Sequence, residues 1–245
     1  MRTDRVPPRP TGDKHLRKLG MIGGISWIST RTYYEYINQL MQKRCGPKAS
    51  APLLIDSLDY RDFTGLDSEE DWDRAGKLLI DSARRLEQAG AEGLLIAANA
   101  MHRLYDSIAE AVSIPILHIA DSTGERMQAK GATTAAILGT KSVMTEGFFR
   151  SRLVSHGVDL LPPEMSHADE LDRLIAEELK LGRKTRDAER ALKTIITWYE
   201  QHGAKAIVLA CTELELVVDI DANVLPIYDT ARIHCEAALD WIDCG

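Results

Sequence analysis

Two stretches of this sequence run in parallel and then part company over one residue. "AGAEGLLIAA" (89–98) and "HGAKAIVLAC" (202–211) match in pattern position for position, but the first ends in Ala98 and the second in Cys211. A thiol at the end of an apolar run can act as acid, base or nucleophile. The residues after it, Thr212 and Glu213, read as the start of a helix. A helix N-terminus lowers a thiol pKa and raises its thiolate fraction, so an activated Cys211 is expected. In the other stretch Ala97, Ala98 and Ala100 are inert, and only Asn99 carries a hydrogen-bonding side chain. The remaining cysteines read as structural or incidental: Cys45 ends a helix pattern, and Cys235 and Cys244 lie near the end of the chain.

Other apolar runs end in small polar groups: "GGIS" (23–26), "SLD" (57–59) and "GTKS" (139–142). Open α/β sheets bind ligands outside the carboxyl ends of their strands. Glycines and short hydroxyls let the backbone approach a ligand, and N–H groups near helix N-termini favour an anion such as a carboxylate. Singly, each of these is an ordinary turn. Together, five polar strand ends imply a pocket. Neither "GGIS" nor "GTKS" is a phosphate-binding fingerprint. The seven histidines show no metal-ligand spacing, so no metal site is called for.

The elements that must position these groups alternate regularly. Strands are expected at 19–24, 52–57, 93–98, 115–120, 134–139, 158–162, 206–211 and 224–229. Helices are expected at 27–44, 71–90, 167–182, 185–202 and 230–243. Continuous apolar strands between helices indicate parallel sheets covered on both faces. The repeat extends further: "LGMIGGIS" resembles "AAILGTKS" (135–142), and "IPIL" (114–117) resembles "LPIY" (225–228). The expected fold is therefore α/β, with two pseudo-symmetric lobes facing one cleft. The expected division is a disordered, Pro- and Arg-rich tail over 1–17, a first lobe of 18–119 plus 226–245, and a second lobe of 120–225.

The chain has 245 residues, 44% of them hydrophobic, and a formal net charge of −7. That balance argues against a nucleic-acid-binding face. No apolar run reaches the roughly 18–20 residues of a membrane helix. The first residues lack the apolar region of a secretory signal. Four cysteines without a disulfide framework point to a reducing cytoplasm.

Taken in order, "LGMIGGISWISTRTYYEYIN", "AGAEGLLIAANAMH", "IPILHIAD", "ILGTKSVM" and "VLACTELELV" resemble the aspartate/glutamate racemase family, across about 18–241. The resemblance implies a cofactor-free enzyme that works without pyridoxal phosphate. One cysteine from each lobe would remove and return an α-proton on opposite faces of an amino acid. It assigns Cys211 as the second-lobe acid/base. Asn99 and Thr212 become carboxylate-binding candidates, Gly24 and Ser26 the first substrate loop, and Thr140 its second-lobe counterpart. Lys180 falls where some members place a lysine beside the substrate's side-chain carboxylate. The expected partner is a small amino acid or dicarboxylate, and the expected assembly a homodimer. The family pattern C-N-T-x-H reads here Ala98-Asn99-Ala100-Met101-His102. The first catalytic position is vacant at Ala98, and the threonine is replaced by Ala100. Three functions follow: a racemase of aspartate/glutamate type or its one-cysteine variant; a one-thiol decarboxylase of a malonate-type acid, whose leaving carboxylate would suit the alanines; or a degenerate amino-acid-binding protein.

Overall fold

The computed structural model describes residues 16–219 and 223–243. The tail expected over 1–17 lies almost wholly outside that range, as does Cys244. Strands β1 (Leu19–Gly23), β2 (Leu53–Ser57), β3 (Gly93–Ile96) and β4 (Ile116–Leu117) form one sheet, ordered β2-β1-β3-β4. Strands β5 (Thr134–Gly139), β6 (Asp159–Leu160), β7 (Ala206–Ala210) and β8 (Ile227–Asp229) form a second, ordered β6-β5-β7-β8. Every pairing is parallel. The sequence repeat is thus the fold repeat: β1, β3 and β4 hold the same places in the first sheet as β5, β7 and β8 in the second.

The long helices arise from ordinary local chemistry. α2 (Glu69–Gln88) opens on a capping box in which Ser68 and Asp71 satisfy each other's backbone N–H groups. Its buried Trp72, Ala75, Leu79, Ala83 and Leu86 recur at helical spacing. They cover Ile22, Leu94 and Ile96 on one face of the first sheet. The other face, with Leu19, Met21 and Leu95, is covered by Tyr33, Ile37 and Met41 of α1 (Trp27–Cys45) and by Cys235, Ala238 and Leu239 of α9 (Thr230–Asp243). In the second lobe α7 (Met165–Glu177) and α8 (Arg186–Gln201) bring Leu171, Ile175, Leu192 and Ile196 into one core with the fully buried β7.

Three short helices and one longer one lie in stretches where no helix was expected. They are α3 (Tyr105–Ala109), α4 (Ile119–Ala129), α5 (Lys141–Thr145) and α6 (Gly147–Ser155). The strand expected over 115–120 is only two residues long, because His118 caps α4 by accepting the N–H of Ala120 at 3.1 Å. The final crossing also differs. β8 pairs with β7 in the second sheet, and α9 returns to the first, so the chain crosses after Asp229 rather than at 226.

That crossing gathers three histidines at the lobe junction. The ring of His102 lies 4.6 Å from that of His118 and 5.9 Å from that of His234. His102 Nδ1 donates to the Ala98 carbonyl at 2.9 Å, and its Nε2 accepts the Ile119 N–H at 3.3 Å. His234 bridges the Tyr33 hydroxyl (2.9 Å) and the Leu117 carbonyl (3.1 Å). Burial disfavours the charged imidazoles and holds His102 down at about 4 and His234 at about 3; His118 is lowered as well. A histidine whose folded-state pKa lies below its ordinary 6.5 stabilises the fold fully above pH 6.5. That stability is lost as the pH falls towards 4, on the order of 3 kcal/mol at pH 4 for His102 alone. Urea unfolding between about pH 7.5 and 4.5 should show this loss. His102→Gln, which keeps a donor for Ala98 but cannot titrate, should flatten the pH dependence. An unchanged slope would remove His102 from the account.

Candidate active site

The carboxyl ends of the central strands meet between the lobes. There a small cavity of about 50 Å³ is bounded by Ser26, Ala98 and Asn99 on the first-lobe side and by Thr140, Lys180 and Cys211 on the second. Cys211 follows β7 directly and precedes a short 3-10 turn, Thr212–Leu216. Ala98 follows β3 at the pseudo-equivalent place. Ser26 caps α1, and Lys180 sits on the turn Leu179–Leu181 that ends α7.

Glu213 holds the site together. It is buried, with 2% exposure, in a position where an unpaired carboxylate would be very costly. Its Oε2 accepts the Cys211 thiol at 3.0 Å and the Thr212 hydroxyl at 2.9 Å. Its Oε1 accepts the Ser29 hydroxyl at 3.2 Å. Ser26 also donates to it, and Ser29 and Thr212 bond to each other. Burial pushes the Glu213 carboxyl up, but these donors and the Lys180 ammonium outweigh it, so its pKa lies below the ordinary value. Burial pulls Lys180 down, but its neighbours Cys211, the Glu213 carboxylate and Tyr60 outweigh it, so its pKa lies above the ordinary value and the ammonium stays charged. Its Nζ also stands 5.3 Å from the centre of the Tyr60 ring.

One expectation is overturned here. Cys211 is not an activated thiolate at rest. Burial and the adjacent Glu213 charge push its pKa well above the ordinary value, and Lys180 only partly offsets them. The expected helix is a 3-10 turn of five residues, which supplies little of the N-terminal field a long helix offers. The resting pair is a thiol donating to a carboxylate.

The other expected residues divide. Ser26, Asn99, Thr140, Lys180 and Thr212 all line the cavity, together with Cys211 and Ala98. The Asn99 amide nitrogen is buried without a hydrogen-bond partner, while its oxygen accepts from Thr230 at 3.1 Å. It is therefore a donor free to meet a carboxylate. The Thr212 hydroxyl is committed to Glu213 and Ser29. Gly24 is not among the cavity residues. Its N–H is taken by Thr30 at 2.8 Å, and its φ of +81° leaves no room for a Cβ, which would meet the Leu58 carbonyl oxygen at 2.0 Å. Gly24 thus shapes the loop rather than touching the cavity. Sequence reasoning missed two contributors. Glu213 stood in plain view beside the thiol, and its carboxylate was the available signal. Ser29 carried no signal, because its role depends on α1 docking against the other lobe.

Two facing α/β lobes thus place a thiol, a buried carboxylate and an unpaired amide in one small cleft. The sequence model of the family described as Asp/Glu/hydantoin racemase matches residues 22–238. The broad specificity amino-acid racemase RacX of Bacillus subtilis (strain 168) is 24% identical over 216 residues, covering 87% of this chain and 92% of that protein. The crystal structure of an Asp/Glu racemase relative from Yersinia pestis superposes with a TM-score of 0.84 at 36% identity, covering 93% of this chain and 99% of that one. The structure of an aspartate racemase homologue from Pyrococcus horikoshii OT3 gives 0.80 at 30% identity, covering 94% of this chain and all of that one (100%). The chain belongs to the Asp/Glu/hydantoin racemase family.

The two charges beside Cys211 act on it in opposite senses, and alkylation rates should read them. At about pH 8, Glu213→Gln should make Cys211 react severalfold faster with iodoacetamide, because a like charge is gone. Lys180→Met should slow it. Peptide mass spectrometry separates Cys211 from the exposed Cys45. Equal rates in both variants would mean that neither charge tunes the thiol.

Proposed function

We propose that this racemase-family chain moves the α-proton of an acidic amino acid, of aspartate or glutamate type, through Cys211 alone. The observation that carries this reading is the 3.0 Å bond between the Cys211 thiol and the buried Glu213 carboxylate inside the inter-lobe cavity. The substrate α-carboxylate would take the free Asn99 amide donor, and a side-chain carboxylate would face the Lys180 ammonium. Cys211 ionises by passing its proton to Glu213 Oε2, an uphill transfer that keeps the reactive thiolate a minor species. The thiolate then takes the α-proton, leaving a planar carbanion. The thiol so formed trades its proton with solvent and then returns one to the face it came from.

Inversion needs a donor on the other face. There the first lobe offers the methyl groups of Ala98 and Ala100. Water must supply that proton, and a missing positioned acid typically costs about 10²–10⁴-fold. Exchange of the α-proton should therefore outrun inversion, because a single thiol both takes and returns protons on one face.

Five variants test the reading by proton NMR in heavy water beside chiral chromatography. Wild type should exchange the α-proton of aspartate or glutamate on the order of 100-fold faster than it inverts the centre. Cys211→Ala should abolish exchange, while Cys45→Ala and Cys235→Ala leave it largely intact. Ala98→Cys with Ala100→Thr should bring inversion close to the exchange rate, and adding Cys211→Ala should remove both. Full exchange in Cys211→Ala would overturn the assignment. Release of CO₂ from an arylmalonate without amino-acid exchange would replace it with decarboxylation. Saturable binding with neither would leave a binding protein.

A further inference from the structure

Glu215 lies two residues beyond Glu213 on the same turn, Thr212–Leu216, and is not among the cavity residues. Asp229 ends β8, where the chain crosses to the first lobe. The two carboxyl groups stand within hydrogen-bonding reach of each other. Asp229 Oδ1 accepts the N–H groups of Ala231 at 2.9 Å and Arg232 at 3.1 Å, and so caps α9. Glu215 accepts the Thr32 hydroxyl of α1. One oxygen of each is left over: Glu215 Oε2 and Asp229 Oδ2 are buried and have no hydrogen-bond partner among the described residues.

Two buried acceptors that face each other need a proton between them or a cation beside them. The cation at hand is Arg232. Its Nε stands 3.6 Å from Glu215 Oε2 and 3.5 Å from Asp229 Oδ2, and is itself without a hydrogen-bond partner among the described residues. Its guanidinium lies 4.9 Å from the centre of the Tyr36 ring, and its side chain is 43% exposed, so water screens it. One such group does not offset two carboxylates. The other titratable groups facing the pair are Tyr33 and Tyr36 of α1 and Cys235 and Glu236 of α9. Burial raises the pKa of both tyrosines and of Cys235, which keeps them neutral. Glu236 is bound to Arg126 of α4.

A proton is left as the link. Burial and the Asp229 charge push Glu215 up to about 7. Burial raises Asp229 as well, but its backbone donors pull it back. The proton therefore rests on Glu215 Oε2 and points at Asp229 Oδ2, which satisfies both leftover oxygens. Asp229 fixes the start of α9, the helix that returns to the first lobe, and Glu215 rides on the turn with Glu213. Without the proton, two ionised carboxylates would repel each other across this seam.

We propose that Glu215 and Asp229 share one proton and act through it as positioning residues: the proton seats the turn that follows Cys211 and carries Glu213, and its loss at alkaline pH unseats that turn. The shared proton stands on this geometry alone. Its effect on turnover rests on the α-proton chemistry proposed above for Cys211.

A carboxyl whose folded-state pKa lies above its ordinary 4.5 stabilises the fold fully below that value and loses the effect as the pH rises through about 7. This sign is opposite to that of the buried histidines, which cancel when two variants that both carry them are compared. Glu215→Gln keeps a donor for Asp229 but cannot titrate. The urea unfolding constant of wild type, divided by that of Glu215→Gln, should rise close to tenfold per pH unit between about pH 5 and 7 and level off above. Asp229→Asn still caps α9 and offers its amide to Glu215, so it should behave alike and serves should the first variant fail to fold. In α-proton exchange on glutamate, the kcat of Glu215→Gln divided by that of wild type should rise roughly threefold or more from about pH 6 to 8.5. Glu215→Leu, which leaves Asp229 without its donor, should be slower than Glu215→Gln throughout. An unfolding ratio that stays flat in both amide variants overturns the shared proton. A rising unfolding ratio with a flat kcat ratio overturns the positioning role. Absence of exchange in every protein, wild type included, overturns the Cys211 reading and the positioning role with it, while the unfolding ratio still decides the shared proton.

Discussion

An ionised carboxylate inside a protein dictates its surroundings, and Glu213 does so here. Stripped of water, it is tolerable only if each lone pair finds a donor and a cation stands near. No single lobe supplies that set. Ser26 and Ser29 come from the start of α1 in the first lobe, while Cys211, Thr212 and Lys180 come from the second. Satisfying one charge therefore fixes the distance between the lobes and the height of the thiol above the cleft floor. The short bonds around Glu213 place the Cys211 sulfur and also join the two lobes.

The same junction is reinforced on two other sides. The histidines beneath it are neutral and bonded to backbone carbonyls and amides of both lobes' connecting segments. The Arg103–Glu146 pair closes the outer rim. Between these two lies the cavity. Its polar groups are largely satisfied among themselves, with the Asn99 amide left open. A site that reserves few unpaired groups for its ligand gains selectivity from them, because a ligand lacking the matching acceptor leaves a buried donor unpaired.

The duplicated α/β plan was legible from sequence because it rests on local features: apolar runs, helix periodicity and a repeat visible in "AGAEGLLIAA" and "HGAKAIVLAC". The long helices were placed to within a few residues for the same reason. What escaped depends on contacts across the chain. α4 hides behind the capping role of His118, an unusual residue for that task. The second-sheet place of β8 is settled by pairing with β7, which no local pattern encodes. The thiol state of Cys211 was misjudged because the sequence shows a following turn but not how deeply the sulfur is buried, nor that the glutamate two residues on folds back against it at 3.0 Å. Lys180 could be placed only by resemblance; its setting against Glu213 and Tyr60 needs the fold.

The asymmetry of the two lobes is larger than one missing thiol. Extending the repeat by two positions sets Ala98-Asn99-Ala100 against Cys211-Thr212-Glu213. The first lobe therefore lacks both members of the thiol–carboxylate pair, and the central position alone keeps a hydrogen-bonding side chain. This matters for any attempt to restore symmetry. A thiol at position 98 would be buried, which raises its pKa, but it would have no carboxylate beside it to raise it further or to take its proton. In the proposed reaction it would serve best as a donor, delivering a proton to the carbanion left when Cys211 takes the α-proton, and poorly as the base that starts the reverse reaction. A repaired site should consequently invert one enantiomer faster than the other. The direction of that bias follows from which face of the α-carbon Cys211 meets.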